Sequence, residues 1–157
     1  MRAKLNPTGY FTGERPLGVI PPPVWAFGAT PDQADELLAL VLSGTKTATA
    51  GALWDYEAEG EELPAPGALG IVTDGRGVPH ALVVTTQVEI VPFDEVSTEH
   101  AYLEGEGDRS LATWREEHER FFTEHAVHAH GFSPDMPVVL QRFAVLYSQT
   151  SADSVTG

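Results

Sequence analysis

The chain has 157 residues, 42% hydrophobic and 20% charged, the composition of one folded domain with a real core. It has no cysteine, which excludes disulfides, thiol nucleophiles and cysteine zinc sites. Its net charge of −14 argues against non-specific binding of long nucleic acid, which needs a basic surface. No apolar run is long enough to span a bilayer, and the N-terminal segment lacks the apolar core of a secretory leader. A cytoplasmic protein with no membrane partner is expected.

In chain order, residues 1–25 form a Pro-rich arm containing "GVIPPPVW". Trp25 and Phe27 are expected to dock it on the body. "TPDQADELLALVLSG" predicts a helix with Thr30 as N-cap, Pro31 in the first turn and Gly44 at the end. Ala34, Leu37, Leu38, Val41 and Leu42 make its apolar face. "TKTATA" suits a short strand, and "LWDYEAEGEELPAPG" an acidic, aromatic loop. "ALGIVTD" and "PHALVVTTQVEIVPF" read as two strands joined at "DGRG". "DEVSTEHAYLEGEGD" holds a short helix and a glycine-broken loop, and "SLATWREEHERFFTEHAVHAHG" is a second long helix. Leu111, Trp114, His118, Phe121, Phe122 and His125 share one side of it. "MPVVLQRFAVLYS" closes as a strand, and residues 149–157 read as a disordered tail. The order gives an α+β fold around a small curved or barrel-like sheet.

The chain has two lysines and seven arginines, and Lys46 is the one lysine of the main body. Residues 30–147 carry six basic and 21 acidic side chains, a net −15. A lysine can be shifted to its neutral form by burial, whereas a guanidinium keeps its proton. Lys46 and Thr49 could therefore act as base and nucleophile. On a strand they would face opposite sides, so a bulge or a turn near Gly44 is needed. The competing reading is an exposed lysine protecting an edge strand.

"EGEGDRS", Glu104 to Ser110, supplies carboxylates ahead of a helix N-terminus whose free N–H groups could hold an oxyanion. Asp108 or Ser110 is equally an N-cap. Trp54, Tyr56 and Tyr102 could stack a base or fill the core. His125, His128 and His130 have spacing that could chelate, but no HExxH motif accompanies them. They read as a polar helix end, and no metal site is assigned.

"GTKTAT" fits the G-x-K-x-x-T signature of the ASCH domain family, with Gly44, Lys46 and Thr49 in the defining places. Later blocks resemble the family in order: "TTQVEIVPFDEV", "HAYLEGEGDRSLATWREEHERFF" and "DMPVVLQRFAVLY". The likeness runs over about residues 26–148. It implies a PUA-like fold, a small β-barrel-like sheet with helices around a cleft.

Members with known activity include small bacterial amidohydrolases that deacetylate N4-acetylcytidine. The resemblance then implies a catalytic set of Lys46, Thr49 and Glu104, with Glu106 in reserve. In that scheme Lys46 takes the Thr49 proton and Glu104 protonates the leaving amine; in a fallback Lys46 activates water. Substrate contacts are expected from Gly44, Trp54, Tyr56, Glu106, Asp108, Arg109 and Ser110. The implied ligand is a small nucleoside or modified base, and no cofactor is needed.

Another member resembles a metal-dependent ribonuclease. That alternative brings in single-stranded RNA and a divalent metal such as manganese, held by Glu104, Glu106 and Asp108. A third is a non-catalytic binding module for RNA or a modified nucleoside. A homodimer stays open.

Overall fold

A computed structural model describes residues 21–149. The arm up to residue 20 and the tail from residue 150 lie outside the described residues. The elements run β1 (Val24–Trp25), α1 (Pro31–Leu42), β2 (Ala48–Ala52), α2 (Leu53–Glu59), β3 (Leu69–Thr73), β4 (Pro79–Pro92), a 3-10 turn (Phe93–Glu95), α3 (Thr98–Glu104), α4 (Leu111–Glu124) and β5 (Pro137–Ser148). The fold is α+β. Its sheet is open, with five strands in the order β1-β3-β4-β5-β2. Only β1 and β3 are parallel; the other pairs are antiparallel.

The long β4 and β5 form the spine. Their register slips between Leu82 and Val83 and between Thr85 and Gln87. Bulges of this kind bend a sheet locally and raise its twist. None of the described helices is long and apolar enough to cross a membrane.

Helix α1 follows its sequence signals. Thr30 accepts from the Gln33 N–H at 3.1 Å, and Ala34, Leu38 and Val41 are buried. Gly44, with φ +83°, turns the chain just past the helix. Two stretches differ from expectation. Leu53–Glu59 is a helix rather than a loop, stopped by Gly60 in the left-handed region. It has no side-chain N-cap, so the sequence carries no start signal. The second long helix ends at Glu124 rather than continuing through the histidines. Asp55 Oδ1 accepts from the Val127 and His128 N–H groups at 2.9 and 3.2 Å, which ties that segment to α2 instead.

The core has two parts. One joins Phe93, Val96, Ala101, Trp114, Phe122, Met136 and Val138 beneath α3 and α4. The other joins Phe27, Leu38, Val41, Val72, Val83 and Phe143 beneath α1. Phe27 stacks on Phe143 at 5.8 Å, as expected of an aromatic anchor.

Candidate active site

The loop between α1 and β2 is held on three sides. The Thr45 and Lys46 N–H groups donate to the Leu40 carbonyl at the end of α1, at 2.9 and 3.0 Å. The Thr47 N–H donates to the Leu103 carbonyl of α3, and the Thr47 carbonyl accepts from Phe143 of β5. Lys46 therefore precedes the strand, and strand alternation does not govern its direction.

Its side chain is only 1% exposed. That removes the reading of an edge-guarding lysine in water. Nζ lies 5.3 Å from the centre of the Phe27 ring. It donates to the Ala48 carbonyl at 2.8 Å, to Glu106 Oε2 at 2.7 Å and to the Glu104 carbonyl at 3.4 Å. An ammonium has three N–H groups, so these acceptors use all of them.

Glu104 Oε1 stands 3.6 Å from Nζ. The Glu104 side chain ends α3 facing inward and is as buried as Lys46. Its Oε2 accepts from Trp114 Nε1–H at 2.9 Å and pairs with His100 Nε2 at 2.7 Å. Its Oε1 lies 3.3 Å from His118 Nε2. Burial alone would push this carboxyl upward. The charges of His118 and Lys46 and the hydrogen bonds of both histidines win, and hold it well below the usual carboxylate range. For His118 burial pulls downward, but Glu104, Glu106 and the Trp114 carbonyl raise it above the ordinary histidine value.

Gly105 makes this pairing of carboxylates feasible. It caps α3 at φ +74°, so Glu104 turns in while Glu106 reaches Lys46 from the loop. A Cβ at this position would meet the Thr45 carbonyl oxygen at 2.5 Å. Gly105→Ala is expected to cost about 2 kcal/mol or more from left-handed strain and this overlap. Urea unfolding of the variant checks it.

Lys46, Thr49, Glu104 and Glu106 line one cleft of about 430 Å3. Phe27, Trp114, His118 and Phe121 line it too. The other expected contact residues do not line this cleft. Gly44 lines a separate depression with Val41 and Phe143. Trp54 packs on His128 and His130, with ring centres 5.3 and 4.4 Å away. Tyr56 packs against Gly51, and burial raises its hydroxyl above the ordinary value.

Asp108 accepts from the Ser110 N–H at 2.9 Å, and Ser110 caps α4 by accepting from Thr113 N–H. The Ser110 and Thr113 N–H groups are thereby taken up in the cap. Arg109, at φ +66°, lies 3.7 Å over the Tyr102 ring and donates to the Tyr102 and Thr45 carbonyls. Among the described residues no group of three or more His, Asp or Glu is arranged to hold a metal ion.

Sequence reasoning left His100, Trp114 and His118 outside the site. A signal existed. His100 and Glu104, and Trp114 and His118, are i,i+4 pairs that share a helix face.

The ASCH domain family model matches residues 23–147, and the chain belongs to the ASCH domain family. Crystal structures of family relatives agree with the fold. A protein from Enterococcus faecalis is 42% identical over 85% of this chain and 86% of its own, with a TM-score of 0.76. An ASCH domain from Lactobacillus crispatus is 34% identical over 80% of each chain, with a TM-score of 0.73. The comparison with curated proteins found no match.

Proposed function

We propose that this ASCH domain hydrolyses a small N-acylated pyrimidine nucleoside such as N4-acetylcytidine. One observation carries the reading. Lys46 and Glu104, each 1% exposed, stand 3.6 Å apart on the floor of a cleft that Thr49 also lines. Burying two charges costs several kcal/mol per ion before pairing returns it, and such costs concentrate where chemistry is done. The cleft has the volume of a small-molecule site.

Glu104 is assigned the role of a fixed anion rather than the proton donor, because its carboxyl is held ionised. Glu106 takes the donor role. Its side chain is 35% exposed, and substrate entry would cover it. Loss of water disfavours the charged form of the 2.7 Å Lys46–Glu106 pair, and a proton passes from Nζ to the carboxylate. The Lys46 amine then takes the Thr49 hydroxyl proton as the Thr49 oxygen bonds to the acyl carbon. The C–N bond breaks, and Glu106 gives its proton to the leaving amine. Water next attacks the ester, Glu106 accepts its proton, and Lys46 returns a proton to Thr49. Cytidine and acetate are the products.

The ribonuclease alternative meets the charge of the chain, −14, which repels RNA. A chromatographic assay of N4-acetylcytidine with and without EDTA separates the readings. Cytidine release unaffected by EDTA is expected. Absence of release, with single-stranded RNA cut after manganese is added, would replace the hydrolase reading with the ribonuclease. Binding of the nucleoside without turnover would replace it with a binding module.

A further inference from the structure

His118 is tied at both ring nitrogens. Nδ1 lies 2.9 Å from the Trp114 carbonyl oxygen, which can only accept. Nε2 lies 3.3 Å from Glu104 Oε1. The first contact calls for an N–H at Nδ1, and the carboxylate facing Nε2 draws a proton to that side and raises the ring above the ordinary histidine value, which favours the imidazolium. The ring is also stacked on Trp114 at 4.1 Å, 14° from parallel, so its orientation is fixed. Its side chain is 13% exposed, so water screens this charge little.

Around it stand Glu104 and His100 from α3, Glu106 from the following loop, and Lys46 from the loop before β2. Glu36, Glu117, Arg120, Glu124 and His125 line the same cleft. With His118 charged, the inner group of Glu104, Glu106, Lys46 and His118 is neutral. Without that charge, Lys46 alone would balance two carboxylates, and its proton would be tightly kept.

We infer that His118 is a positioning residue: its imidazolium serves as the second counter-ion of Glu104, so that Lys46 is left to pair with Glu106 and the inner group stays neutral. This rests on the hydrolase reading of the cleft. The consequence is a pH effect of definite sign. His118→Gln keeps a donor toward Glu104 but removes the positive charge. The site then binds an extra proton more readily, so the acidic limb of kcat/KM moves up by about one pH unit.

The test has two arms. The first follows the ring nitrogens of His118 by 15N NMR in the full chain. Two protonated nitrogens are expected at neutral pH, with a titration midpoint that drops in Glu104→Gln. A neutral ring at pH 7 would overturn the inference, whether or not the protein turns over any substrate. The second arm compares pH profiles of wild type and His118→Gln on N4-acetylcytidine. An unmoved acidic limb in a folded variant would also overturn it. No turnover by wild type would defeat the hydrolase reading while the NMR arm still decided the state of His118.

Discussion

Glu104→Ala is expected to lower the unfolding free energy by about 3–5 kcal/mol near neutral pH, the cost of breaking a buried ion pair from one side. The variant leaves His118 and the Trp114 indole N–H facing an empty space, and with Lys46 still paired to Glu106 one positive charge stays uncompensated. The pH dependence has a definite sign. Glu104 is lowered in the fold from an ordinary value of 4.5, so its stabilisation is present above that value and is lost as pH falls through the lowered one. His118 is raised from 6.5, so its stabilisation is complete below 6.5 and is lost as pH rises through the raised value. Together these groups favour the fold most between about 4.5 and 6.5. Urea unfolding across the pH range should show both limbs in wild type and flattened limbs in Glu104→Ala. Equal stability of the two proteins at neutral pH would refute the ionised, paired state of Glu104.

Lys46→Ala is expected to lower deacylation about a thousandfold or more, because Thr49 then has no base at hand. Lys46→Arg should not restore it. An arginine keeps the positive charge for Glu104 and Glu106 but holds its proton. Circular dichroism would confirm that both variants fold before rates are compared. A Lys46→Arg enzyme with near wild-type kcat would show that charge, not proton transfer, is what the site needs.

Much of the fold was legible because local signals agreed with tertiary needs. Thr30, the spacing of Ala34, Leu38 and Val41, and Gly44 all mark α1, and burial follows that pattern. β4 carries a run of β-branched residues, and β5 is rich in apolar and aromatic ones. Helix α2 was hidden because Ala52 offers no cap and its acids suit a loop equally well. The end of α4 was hidden because Asp55, distant in sequence, captures the backbone at Val127 and His128.

At the site, the signature placed Lys46, Thr49 and the acidic loop together. It could not show the turn that aims Lys46, since that depends on hydrogen bonds to Leu40, Leu103 and Phe143. Nor could it separate Glu104 from Glu106. One is sealed against Trp114 and two histidines and the other is partly open, a difference set by how α3 meets α4. Trp54 and Tyr56 have the chemistry to hold a base, yet the helix they stand on turns them toward His128 and Gly51.

The most direct test of the proposed chemistry is to quench the protein in the act of hydrolysing N4-acetylcytidine and map its peptides by mass spectrometry. The expected result is an acetyl group on Thr49 in wild type, absent in Lys46→Ala. Full turnover by Thr49→Ala, with no acetyl group ever found on the chain, would contradict it.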